Sequence, residues 1–81
     1  MNDIIETKVL DATGLLCPMP VVKASKVMRS MASGEVLKIL ATDRGSVADF
    51  PAWASDTGNE LLQQHEEDEV FVFFVRKGAE G

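Results

Sequence analysis

Cysteine occurs once and histidine once in these 81 residues. A single cysteine forms no internal disulfide, and one cysteine with one histidine cannot close a zinc site. Basic residues are in the minority, 8 against 13 acidic, which leaves a net charge of −5. Nucleic acid and anionic membrane surfaces are thereby disfavoured as partners, because phosphate binding needs a basic footprint. Long apolar runs are missing too. The longest, Val70 to Val75, falls far short of a bilayer span. The segment Met1-Asn2-Asp3-Ile4-Ile5-Glu6 is acidic and lacks the regions of a signal peptide, so a reducing cytoplasm is the expected compartment. No repeat, low-complexity tract or linker interrupts the sequence.

What is present describes one globular domain. Apolar residues make up 46% and charged residues 26%, enough to build a core and too apolar for disorder. The domain is expected to take in residues 1–81, with its core at about 7–78 and loose ends at 1–5 and 79–81. A chain this short buries only about 60–65% of the surface its unfolded form exposes, so its margin of stability is thin.

Six elements follow from pattern. Thr7 to Ala12, with Val9 and Leu10, predicts a short strand, and Gly14 a turn after it. From Pro18 the period becomes helical: Val21, Ala24, Met28 and Met31 form one apolar stripe, with Lys23, Lys26 and Arg29 away from it. Gly34 is placed to end that helix. Val36 to Thr42 is apolar apart from Lys38, as in a strand buried on both sides or in the middle of a sheet. Asp43-Arg44-Gly45 predicts a turn, and Ser46 with Asp49 three residues on resembles a capping box. Val47, Phe50 and Ala54 then face the core. Pro51 interrupts this second helix, which is expected either to begin near Asp49 or to kink at the proline. Gly58 ends it. Asn59 to His65 is a weaker strand and Val70 to Arg76 a strong one. The acidic run Glu66-Glu67-Asp68-Glu69 reads as a solvated turn that makes these two strands an antiparallel hairpin. His65 reads as a surface residue beside that turn.

The order β-α-β-α-β-β, with right-handed crossovers, predicts an α+β, two-layer sandwich: a four-stranded mixed sheet with two helices on one face. Val70, Val72 and Phe74 alternate with Phe71, Phe73 and Val75, so the last strand is apolar on both faces. Either it is central in the sheet, or the open face is an interaction surface.

The chemistry concentrates at Gly14-Leu15-Leu16-Cys17-Pro18-Met19-Pro20. Pro18 and Pro20 suit the first turn of a helix and stiffen the entry, so with Gly14 they position the thiol. A thiolate at a helix N-terminus is stabilised by the dipole and free N–H groups, which lowers its pKa, and Lys23 or Lys26 adds positive potential. Equally, a lone cysteine is often a buried small hydrophobe. A hydrolase needs a base beside the thiol, and a dithiol cycle needs a second thiol; neither is evident. A reactive Cys17 is therefore left with a carrier role. Lys23, Lys26 and Arg29, with Met19, are candidates for docking an acidic partner surface.

The chain resembles the TusA (SirA-like) family of small sulfur carriers. The resemblance rests on Leu10-Asp11-Ala12-Thr13-Gly14-Leu15-Leu16-Cys17-Pro18-Met19-Pro20, which contains the family's Cys-Pro-x-Pro element. It is extended by Lys26, Gly34-Glu35-Val36-Leu37, Thr42-Asp43, Asp49-Phe50-Pro51, Gly58-Asn59-Glu60-Leu61 and Phe74-Val75-Arg76-Lys77. The resemblance implies the same βαβαββ fold and a persulfide carried on Cys17. Its donor would be a cysteine desulfurase or a rhodanese-like protein, and its acceptor a protein with a reactive cysteine, in tRNA thiolation or sulfur oxidation. It implies no metal or organic cofactor. Met19, where carriers of tRNA thiolation often have an acidic residue, leans toward sulfur oxidation. The alternative is a protein-interaction or regulatory module with a structural Cys17.

Overall fold

A strand, a helix and a second strand in succession can pair in parallel only through a crossover, and the helix supplies it. The computed structural model describes residues 4–79; the expectations for 1–3 and 80–81 lie outside the described residues. Its elements are β1 (Lys8–Ala12), α1 (Met19–Arg29), β2 (Val36–Ala41), α2 (Ser46–Asp56), β3 (Glu60–Glu67) and β4 (Val70–Arg76). β1 and β2 run parallel, with Ala12 opposite Ala41, while β4 is antiparallel to both β2 and β3. The sheet order is β1-β2-β4-β3. This is the predicted α+β sandwich.

The core lies between the sheet and both helices. Leu37, Ile39 and Ala41 of β2 share a face with Phe71, Phe73 and Val75 of β4. Ala24 and Met28 of α1 and Phe50, Trp53 and Ala54 of α2 cover that face, and Met31 joins them from just beyond α1. Phe50 packs edge-on to Trp53 and tilted against Phe73, with ring centroids 5.7 and 4.7 Å apart. The Trp53 indole N–H donates to Ser25 Oγ at 2.9 Å and so ties α2 to α1. Burying a tryptophan is favourable when its one polar group finds such an acceptor.

The doubly apolar β4 is central, which decides between the two expectations for it. On its open face Val72 and Phe74 are buried, although no helix among the described residues lies there. Gln63 and His65 of β3 stand opposite them, and Lys38 places its ammonium 5.6 Å from the Phe74 ring centre. The stems of such side chains cover apolar surface while their polar ends stay wet. His65 hydrogen-bonds Gln63 through Nδ1 at 2.9 Å and approaches Glu67 through Nε2 at 3.7 Å.

Several local expectations are corrected. α1 ends at Arg29, capped by Ser30, and Gly34 belongs to the following turn at φ 92°. α2 begins at Ser46, earlier than Asp49, and Pro51 lies within it. Ser46 is a buried first residue that makes no side-chain cap, so the capping box is absent. Pro51 has no N–H for the Val47 carbonyl. The side-chain amide of Gln64 donates to that carbonyl instead, at 3.2 Å, which satisfies the group the proline leaves open. Val47 points outward and is 39% exposed. β3 runs on through Glu67, with Leu62 as an extra residue between Leu61 and Gln63.

The β3–β4 turn consists of Asp68 and Glu69, at φ 50° and 68°. Two residues at positive φ match the right-handed twist of a hairpin, but a side chain there costs roughly 1–2 kcal/mol. Asp68 tolerates this better than Glu69. Glu69→Gly is expected to raise stability by about 0.5–1 kcal/mol, after the greater entropy of the unfolded glycine chain is subtracted. A urea midpoint that stays level or falls would contradict this reading of the turn.

Candidate functional site

The carboxyl ends of the parallel strands β1 and β2 lie side by side, where ligands and reactive groups gather in sheets with helical crossovers. The chain leaving β1 is shaped by its own side chains. Asp11 Oδ1 accepts from the N–H and hydroxyl of Thr13, at 3.0 and 2.6 Å, and these bonds hold its carboxyl below the ordinary aspartate range. Gly14 follows at φ 82°, a region that side chains disfavour. Its N–H donates to Thr42 Oγ1 at 2.8 Å, and the Cys17 N–H donates to Asp43 Oδ2 at 3.0 Å. Two residues that leave β2 thus hold the loop that leaves β1.

Cys17 is exposed and stands just before Pro18, the N-cap of α1. Its Sγ–H donates to Asp49 Oδ2 of α2 at 2.6 Å. A cavity of about 450 Å³ opens beside it, lined by Cys17, Pro18, Val21, Asp49, Ala52, Trp53 and Asp56. The floor is apolar and the charges on the rim are both negative. A methyl group at Gly45 would stand 3.1 Å from Asp43 Oδ2 and 3.8 Å from Cys17 Sγ, so this glycine keeps room beside the thiol and its carboxylate.

The expected lowering of the thiol's pKa is reversed. The hydrogen bond to Asp49 raises it first, then desolvation and the charges of Asp49 and Asp43. The bond and both carboxylates favour the neutral thiol. The N-terminus of α1 offers little in return. The Met19 N–H is taken by Leu16 O at 2.9 Å, and Pro20 has none to give. Lys23 and Lys26 are exposed, and neither lines the cavity.

The other predicted residues separate by place. Pro18 lines the cavity beside the thiol, Gly14 lies three residues before it and is tied to Thr42, and Pro20 is fully buried in the first turn of α1. Met19, Lys23, Lys26 and Arg29 are exposed on α1. At roughly 100° per residue they share one face with Val22. Leu16 and Met19, 72% and 43% exposed, add an apolar edge at the cysteine end. Asp49 and Asp43 were missed as site residues because one read as a helix-capping residue and the other as a turn residue. Nothing local shows that the crossover carries both to Cys17.

Thr42→Val keeps the shape of residue 42 and removes the acceptor of the Gly14 N–H. We expect a stability loss of about 1 kcal/mol, with faster hydrogen exchange at the Gly14 amide. Unchanged exchange there would show that the bond does not hold the loop.

With this geometry in view, comparison with known proteins is specific. The sequence pattern of the family described as sulfurtransferase TusA matches residues 8–77. The sulfur carrier protein TusA of Allochromatium vinosum is 52% identical over 68 residues, which cover 84% of this chain and 90% of that protein. TusA of Pseudomonas putida is 42% identical over 80 residues, 99% of this chain and 100% of that one. YrkF of Bacillus subtilis is 55% identical over 74 residues, and the match spans 40% of its length. A solved SirA-like protein from Desulfitobacterium hafniense superposes with a TM-score of 0.80 at 26% identity, over 89% of this chain and 99% of that one. Matched along nearly all of its length in sequence and in fold, the chain belongs to the TusA sulfurtransferase family.

Proposed function

We propose that the protein is a sulfur carrier that relays a persulfide on Cys17 from a donor protein to an acceptor protein. The observation that carries this reading is the setting of Cys17. It is the only thiol in the chain, it is exposed, and it stands at the mouth of a cavity where a partner's sulfur has access. Relatives named as sulfur carriers support the same reading. A structural cysteine would be buried and inert, so the interaction-module alternative is the weaker one.

In loading, the Cys17 sulfur attacks the outer sulfur of the donor's persulfide. A new S–S bond forms at Cys17 and the donor's S–S bond breaks. The bonding pair leaves with the donor's inner sulfur, which takes up the proton lost by Cys17. Delivery repeats the step with Cys17 as donor. No electrons enter or leave, so the relay itself calls for no redox group. Its rate depends on thiolate fraction and access. The protein is then a sulfurtransferase in the relay sense, with little turnover when alone. The donor is of the cysteine desulfurase or rhodanese-like class, and the acceptor presents a reactive cysteine. Met19 between the prolines favours sulfur oxidation over tRNA thiolation as the setting. No helix among the described residues is long and apolar enough to cross a membrane. A reducing cytoplasm is the compartment we assign, since it keeps a lone thiol free.

Intact-mass measurement after incubation with a desulfurase and cysteine is expected to show one added sulfur atom. Cys17→Ser is expected to abolish the gain without loss of fold, and sulfur on the Ser variant would end the carrier reading. Docking by the α1 face makes a separate prediction. Replacing Lys23, Lys26 and Arg29 by Glu is expected to slow transfer by about tenfold at low salt and by less at high salt, where charges are screened within about 10 Å or less. Alkylation of Cys17 by a small neutral reagent should fall far less. Equal losses in the two assays would mean that the basic residues act on the sulfur rather than on docking.

A further inference from the structure

Carriage of sulfur on Cys17 changes what that side chain can donate. Unloaded, Sγ bears a hydrogen and gives it to Asp49 Oδ2 at 2.6 Å. Loaded, Sγ is bonded to carbon and to the outer sulfur, and it has no hydrogen to give. The outer sulfur lies about 2.05 Å beyond Sγ, and it ionises more readily than a thiol. It therefore brings electron density, and most often negative charge, to a place already bordered by carboxylates. Asp49 faces the sulfur from α2, Asp43 from the segment after β2, and Asp56 lines the same cavity from α2. Among the described residues no cationic side chain lines that cavity, and His65 lies across the sheet on its open face.

We propose that Asp49 is a positioning residue that distinguishes the two states of the carrier: its carboxylate grips the unloaded Sγ–H and disfavours the loaded persulfide, so that Cys17 gives up sulfur readily. The proposal rests on the reading of Cys17 as a sulfur carrier. Three features of the site support it. The Asp49 bond goes to the reacting atom itself. Asp43 Oδ2 is engaged by the Cys17 N–H and fixes the backbone, which leaves the side chain's direction to Asp49. Asp49 also lies in the first turn of α2, which places an acceptor group on the helix that faces the cysteine loop.

The consequences are thermodynamic. An interaction made by one state and not by the other shifts their equilibrium by its differential free energy. Removing the Asp49 charge is expected to let Cys17 ionise at lower pH and to favour retention of sulfur. In the wild type the thiol is held neutral below its raised pKa, and alkylation accelerates only as pH rises through that value.

The test compares the full chain with Asp49→Asn and Asp49→Glu. Asn keeps the size of the side chain and an acceptor oxygen but carries no charge; Glu keeps the charge. Two quantities are read. One is the pH profile of alkylation by iodoacetamide. The other is the fraction of Cys17 loaded at equilibrium with a fixed ratio of glutathione persulfide to glutathione, measured by intact mass. For Asn, the alkylation midpoint should move to lower pH. The loaded-to-unloaded ratio should rise roughly three- to tenfold, the modest effect proper to an exposed charged pair. Glu should stay nearer the wild type in both. A wild type that takes up no sulfur overturns the carrier reading and this inference with it. A wild type that loads, together with an Asn variant whose loaded ratio is unchanged or lower, overturns this inference alone. So does an Asn variant whose alkylation midpoint stays in place.

Discussion

The parallel register of β1 and β2 is the constraint on which the site depends. With Ala12 opposite Ala41, the chains leaving the two strands emerge together and continue as neighbours. Thr42 and Asp43 can then accept from Gly14 and Cys17, although 28 and 26 residues separate the partners in sequence. A slip of one residue would turn each side chain of the pair to the other face and carry Asp43 away from the cysteine. The register is held by the core. Leu37, Ile39 and Ala41 must face the helices, and β4 on the far side fixes β2 in the same phase. The position of one exposed thiol is therefore set by buried aliphatic and aromatic packing.

The helices are anchored in the same way. Phe50 and Trp53 face inward from α2, and the indole reaches Ser25 of α1. Asp49 precedes Phe50 in the sequence, so the burial of that ring determines where the carboxylate stands. Cys17 meets an acceptor because α2 is seated on the sheet, and the length and composition of the cysteine loop alone would not provide one.

Much of this was legible in the sequence. The strand and helix order, the Ala24–Met28–Met31 stripe and the central role of an all-apolar β4 follow from periodicity and alternation. The candidate site is visible as a cysteine between a turn glycine and two prolines. What escaped was whatever depended on contacts across the fold. Asp49 reads as a helix-start residue, and only tertiary packing turns it toward Cys17. Pro51 reads as a break because its neighbours along the chain cannot satisfy Val47; Gln64, from another element, does. The upward shift of the thiol's pKa escapes the sequence for a related reason. The helix N-terminus is a local feature that can be read from the prolines. The two carboxylates that oppose it arrive from the segment after β2 and from α2.

The outer strands bear on a different property. Among the described residues β1 and β3 are the edges of the sheet, where a strand presents one row of backbone donors and acceptors away from its neighbour. β1 is only five residues long. β3 is longer, but Leu62 forms a bulge in it, and Glu60, Glu66 and Glu67 lie along it. Short length, a bulge and like charge are the devices that keep two sheets from joining edge to edge. A second copy approaching β3 would bring its own glutamates against these before any ladder could form. The acidic residues that read in the sequence as a solvated turn thus also line an edge strand, where their like charge opposes pairing with another edge.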